Sequence, residues 1–148
     1  METKTNKQQI ERIIEAIDGL VPEYLNDPID KNISDGNVAL CIVDEKGNVF
    51  GRLYGDDKLW MRRSYLTAWT KASQVWITGI ATGEYEKKVF NNEIEDSIYG
   101  ISKPDMIGWE GGQPIVLRDG TKISIGFSGF RGCTDIEIVA RAVKRVEG

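Results

Sequence analysis

This chain of 148 residues contains no histidine, so any chemistry it performs must run on carboxylates, lysine, tyrosine, cysteine or a cofactor. Ser-His and Cys-His nucleophilic pairs, imidazole zinc sites and histidine-ligated haem are all excluded within one chain. Lys71 is a lone cation on an otherwise apolar helical face beside Ala68, Ala72 and Val75. Buried near aromatics, its amine would titrate low enough for base or Schiff-base chemistry, whereas snorkelling or an ion pair would leave it an ordinary cation. The run Ser128-Gly129-Phe130-Arg131-Gly132-Cys133 leads from an expected strand into a helix N-terminus. Unpaired N–H groups and the positive dipole end favour an anion there, and Arg131 would strengthen its hold. The alternative is that Asp135 and Glu137 satisfy that helix end and the glycines serve chain geometry alone. Gly111-Gly112 either admits a ligand close to the backbone or makes the bend before Pro114.

Other reactive types lack diagnostic spacing. Glu93, Glu95 and Asp96 form a short acidic run that either holds a hard cation or is a solvated face. Tyr65, Met61, Met106 and Cys41 are of types that can ligate a porphyrin iron, and core packing explains most of them. Cys41 lies in an expected strand and Cys133 beside an expected helix start, too far apart in sequence for a metal or redox motif. Cys41 reads as a small buried hydrophobe, and no metal site is expected.

The elements that must position these residues are legible from periodicity. Ile10, Ile13, Ile14 and Ile17 fall at helical spacing behind a capping box of Thr5 and Gln8, with Gly19 and Pro22 as stop signals. Pro22 to Gly36 reads as a loop pinned by Tyr24, Leu25 and Ile29. Val38 to Val43, a turn at Asp44-Glu45-Lys46-Gly47-Asn48, and Val49 to Tyr54 make a first hairpin. From Lys58 to Ile77 runs the longest helical pattern, apolar over a wide arc that includes Trp60, Leu66, Trp69, Val75 and Trp76. A helix so apolar must cover more than one partner, and a copy of the same chain is the expected second one. A short helix of about Gly83 to Asn91 follows behind Thr82, and 92–109 is irregular. Asp119-Gly120 between apolar runs predicts a second hairpin with a tight primed turn. Ile123, Ile125 and Phe127 alternate with Lys122, Ser124 and Gly126, as in a half-buried strand. A final amphipathic helix from Thr134 has Thr134 and Glu137 in capping-box positions, with Ile136, Val139, Ala140 and Val143 on one face.

Two hairpins among helices predict an α+β domain with an antiparallel sheet, and the length suits a single domain spanning 1–148. The formal net charge is −4, which gives no overall footprint for nucleic acid. No apolar stretch reaches the roughly 20 residues that cross a bilayer. The charged N-terminal segment lacks the apolar core of a signal peptide, so the cytoplasm is the expected location and no membrane partner is expected.

The block Gly111-Gly112-Gln113-Pro114-Ile115, Asp119-Gly120, Ile125-Gly126-Phe127-Ser128-Gly129, followed by a helix with an early Asp135, resembles the GlcG/HbpS-like family. That family is related to the C-terminal domain of PduO-type corrinoid adenosyltransferases. The resemblance extends to Val43-Asp44 with the Gly47 turn and to Lys71-Ala72, and it is densest from Gly111 to Ala142. It implies a profilin-like sheet with helices on both faces and a ligand pocket bordered by the glycine pair. The reading that follows is an oligomeric binding module for a small ligand, with a tetrapyrrole or corrinoid as the implied cofactor class. Its expected ligand-binding residues are Lys71, Gly111, Gly112, Ser128, Gly129 and Arg131, and its expected self-association runs through the Trp60–Ile77 helix. Two alternatives stand beside it. One is an enzyme for a small carboxylate, with Arg62, Arg63 or Arg131 holding the anion and Lys71, Glu110 or Asp135 moving protons. The other is a scaffold without ligand.

Overall fold

Small side chains on one sheet face and branched ones on the other decide how this chain layers. The computed structural model describes residues 6–95 and 98–148, so Thr5 of the expected capping box and Asp96 of the acidic run lie outside the described residues. The elements are α1 Asn6–Tyr24, α2 Pro28–Ser34, β1 Val38–Asp44, β2 Val49–Tyr54, α3 Lys58–Thr78, α4 Thr82–Phe90, β3 Gly112–Val116, β4 Lys122–Ser128 and α5 Gly132–Glu147. The strands form one antiparallel sheet in the order β2-β1-β4-β3.

Leu40, Ile42, Ile123, Ile125 and Phe127 point to one face. There they meet the isoleucine stripe of α1 and Ile138, Val139 and Ala142 of α5 in the main core. Ala39, Cys41 and Val43 point to the other face, against Ala68 and Ala72 of α3. The close seat of α3 needs the missing side chain of Gly126, where a Cβ would fall 2.2 Å from the Ala68 carbonyl oxygen and 2.7 Å from Ala72 N. The result is the α+β domain with an antiparallel sheet that the two hairpins predict, with helices on both faces as the family resemblance implies. β4 is buried on both sides rather than half-buried, because it is central and α3 covers the Ser124, Gly126 and Ser128 side.

Four local expectations need correction. α1 does not stop at Gly19 or Pro22 but runs on to Tyr24, because Leu20 and Val21 are buried at 0% and 4% exposure and packing overrides the local punctuation. The stretch expected as a loop from Pro22 to Gly36 instead contains α2. The Asp27 carboxylate accepts the N–H groups of Ile29 and Asp30 at 2.8 and 3.2 Å, and Pro28 occupies the first turn. An Asp-Pro pair in those positions is a start signal. The second hairpin turns through a three-residue loop, not a two-residue primed turn. Leu117 N–H reaches Thr121 O, Gly120 N–H reaches Leu117 O, and of the Asp119-Gly120 pair only Gly120 has positive φ, at +90°. Finally, α5 begins at Gly132, and Thr134 does not cap it. The Thr134 hydroxyl donates instead to Asp30 at 2.8 Å, and Glu137 accepts from the Tyr24 hydroxyl at 2.6 Å. Among the described residues, no helix is long and apolar enough to cross a membrane.

Candidate functional site

The N-terminus of α5 does attract an anion, and the chain supplies it. Asp30, fully buried on α2, accepts Arg131 N–H at 2.9 Å, Arg131 Nε at 3.1 Å and the Thr134 hydroxyl. The Arg131 guanidinium also reaches Asp27 at 3.0 Å. Burial alone would push the Asp30 carboxyl up, but the bonds from Arg131 and Thr134 together outweigh it and hold the group below the usual carboxylate range. Arg131 thus clasps α2 to the start of α5. In the same run, Ser128 is buried, and Gly129 adopts φ +127°, where a Cβ would fall 2.6 Å from Val38 Cγ1.

Beside that clasp lies a buried ion pair. Lys71 projects from α3 between β4 and α5, and its Nζ donates to the Phe127 carbonyl at 2.8 Å and to Asp135 Oδ2 at 3.3 Å. Both side chains are 3% exposed. The second Asp135 oxygen accepts Phe130 N–H at 3.1 Å. Loss of water outweighs mutual attraction for both groups, so Asp135 is pushed up to about 7 while Lys71 is held below the ordinary lysine value. Of the two fates the sequence left to Lys71, ion pairing is the one observed, in a dry setting that also lowers its proton affinity.

Gly111 roofs this pair. Its φ of +121° and the proximity of Lys71 Nζ, which a Cβ would meet at 2.8 Å, leave no room for a side chain. At Gly112 a Cβ would meet Thr82 Cγ2 at 2.6 Å, and Gly112 N–H donates to the Thr82 hydroxyl at 3.1 Å. Thr82 in turn donates to Trp109 O at 2.6 Å, tying the start of α4 to the strand that follows the irregular segment.

On the outer side of the glycine pair is a cavity of about 530 Å³, walled by α4 through Gly83, Glu84, Glu86, Lys87 and Phe90, by Gly108 and Glu110–Gln113, and by Ile136 of α5. Of the expected binding residues, only Gly111 and Gly112 line it. Lys71 lies behind the wall, Arg131 makes the α2–α5 clasp, and Ser128 and Gly129 lie at the end of β4 beside Ala39 and Val38. Arg62 and Arg63 are exposed on the first turns of α3, away from the cavity. The α4 residues went unnoticed in the sequence because Glu84, Glu86, Lys87 and Lys88 read as an ordinary solvated helix. Only the exposure of Phe90, at 84%, sets it apart. Elsewhere, Cys41 is buried against the Tyr65 hydroxyl at 3.7 Å, and burial pushes its thiol up to about 11. No group of three or more carboxylates or thiols converges on a metal-sized site among the described residues.

Sheet order and helix layering place this chain among small α+β domains with solved structures. No sequence family and no curated protein matches this chain. Its fold is that of HbpS, PduOC and their structural kin. A double mutant of Streptomyces reticuli HbpS aligns over 100% of this chain and 91% of its own, at 21% identity and TM-score 0.66. PduOC, solved in complex with haem, aligns over 96% and 94% at 19% identity and TM-score 0.72. Klebsiella pneumoniae protein ORFY aligns over 99% and 93% at 15% identity and TM-score 0.72. The resemblance seen in the Gly111–Ala142 block therefore holds at the level of the fold.

Proposed function

We propose that this chain is a small-ligand-binding module that works as an assembly of identical copies. The observation that carries this reading is the cavity against Gly111 and Gly112, the pair at which the sequence predicts a ligand. That PduOC, on the same fold, is found in complex with haem supports small-ligand binding on this scaffold. A haem held through its iron does not fit the residues here. The chain has no histidine, and the cavity wall carries no Tyr, Met or Cys. Met106 lines a neighbouring groove with Trp109, and Cys41 is buried between β1 and α3, away from the cavity wall. A tetrapyrrole or corrinoid would be held by its periphery alone. Self-association is supported by α3, whose outer side leaves Leu66, Trp69, Trp76 and Ile77 between 39% and 47% exposed.

An enzyme for a small carboxylate has one observation in its favour, the Asp135 carboxyl pushed up to about 7 near a cavity. Against it, no arginine lines that cavity.

The test is native mass spectrometry after incubation with haemin, cobalamin or a metabolite extract, on the wild type and on Ile136→Trp, which fills the cavity. The expected result is a stoichiometric added mass on the wild type that the variant loses. No retained mass from any of the three, or equal retention by Ile136→Trp, overturns the binding reading.

A further inference from the structure

A second pocket lies on the α3 side of the sheet and shares no lining residue with the cavity at the glycine pair. α3 rests directly on β4 at Gly126, through Ala68 and Ala72, and by Ser124, two residues earlier in the strand, the helix is in its last turn. There a space of about 580 Å³ opens under Val75 and Trp76, with Val43, Ser124 and Pro114 as its floor. Ser124 is the direct cross-strand partner of both Val43 and Pro114, so the three side chains share one face. The volume suits a small organic molecule.

Ser124 marks this space as a site. It is only 7% exposed, yet its hydroxyl bonds to no described residue, and it points with Val43 and Pro114 into the space under α3. Buried hydroxyls are ordinarily paired, and this one is free both to donate to and to accept from a molecule in the pocket. The surroundings decide the charge of that molecule. Val43, Val75 and Pro114 are apolar, and the Trp76 ring is held over the first hairpin, where a Cβ on Gly47 would meet its Cζ2 at 3.6 Å. The mouth carries one exposed charge of each sign, Glu45 and Lys122, and the Glu45 carboxylate accepts the Lys122 N–H at 3.3 Å. An ion carried past them to the floor would lose its water and find one hydroxyl in return, which is too little to replace its hydration.

We infer that this pocket binds an uncharged, mainly apolar molecule carrying one hydroxyl or carbonyl group, which bonds the Ser124 hydroxyl while its body lies against Val75 and Trp76. The site lies beneath α3 and is separate from the glycine-pair cavity. It is also distinct from the outer side of the helix, although Trp76 borders both.

The experiment is a titration of the full chain at neutral pH, followed by ¹H–¹⁵N NMR at the amides of Val43 and Ser124, which lie under the helix. The probes are benzyl alcohol, benzylammonium and benzoate, similar in shape but neutral, positive and negative, together with toluene, which has no polar group. Benzyl alcohol is expected to shift both amides saturably and to bind more tightly than either ion. Ser124→Ala is expected to weaken benzyl alcohol roughly two- to tenfold, the loss of one neutral hydrogen bond, and to leave toluene unchanged. Val116→Trp, a change at an exposed position of the pocket wall, is expected to abolish the shifts by filling the space. Either ion binding as tightly as the alcohol overturns the uncharged class. Undiminished alcohol affinity in Ser124→Ala, or an equal loss for toluene, overturns the role of the hydroxyl. No shift from any probe, or full binding by Val116→Trp, overturns the site itself and leaves the glycine-pair cavity untouched.

Discussion

At the scale of single residues, Lys71 and Asp135 are the most constrained titratable groups beside the cavity. They come from positions 64 apart in the sequence and meet where water is excluded. Glu110 and Asp30 also act on the pair, the first favouring the charged lysine and the second raising the aspartate further. The sign of the pH effect follows. The folded state holds the Asp135 proton up to about 7, whereas the unfolded chain releases it near 3.8. Between those values the folded state binds more protons, so this group's contribution to stability is full below the lower value and is lost as pH rises through the upper one. The prediction is that urea-unfolding stability of the wild type, relative to Asp135→Asn, falls as pH rises from 4 to 7, by up to about 1.4 kcal/mol per pH unit. A flat or rising difference would contradict the protonated carboxyl. The sequence singled out both residues, Lys71 as a cation on an apolar face, Asp135 as a helix cap and each as an alternative proton carrier, but nothing in it paired the two.

At the scale of elements, α2 has only seven residues and is held in place by its capping Asp27 and by the Asp30–Arg131–Thr134 contacts. Seven residues are too few to be stable as an isolated helix, so tertiary bonds must fix them. Asp30→Ala would leave Arg131 N–H and the Thr134 hydroxyl without their partner. Because the guanidinium is 38% exposed, the loss is expected at about 2–3 kcal/mol, the lower part of the range for a broken buried pair. Asp27→Ala, which removes a cap, should lose about 1 kcal/mol. Equal midpoints for the two variants in urea unfolding would refute this ranking. The helix was legible in principle from Asp27-Pro28, but the long-range partner that orders it was not.

At the scale of the whole molecule, the sheet is covered on both faces, and the apolar surface left over lies mainly on α3 and around the irregular segment. Leu59, Leu66, Trp69 and Trp76 recur at intervals of seven, three and seven along the outward side of α3, the spacing of a helix face that meets a partner. The expected outcome in sedimentation velocity is a wild-type species larger than one chain, reduced to a single chain by Trp69→Glu/Trp76→Glu with an unchanged far-ultraviolet circular dichroism spectrum. A monomeric wild type would sink the assembly.

Local patterning determined most elements of this protein, though not the end of α1 or the stability of α2, because the hairpin turn at Gly47, the Asp57 start and Gly79 end of α3, and the alternation of Ile123, Ile125 and Phe127 are all short-range signals. It also determined that Gly111 and Gly112 matter, since two adjacent glycines before a proline mark a place where side chains cannot fit. Only the tertiary structure decided what presses on them: Lys71, Thr82 and Asp135 from three different helices. The same holds for the cavity, whose carboxylates come from α4 and the segment before β3 and look like solvated surface until the fold sets them facing one space. Periodicity is set by neighbours along the chain, whereas a site is set by which distant residues the packing of helices on a sheet brings within a few ångströms.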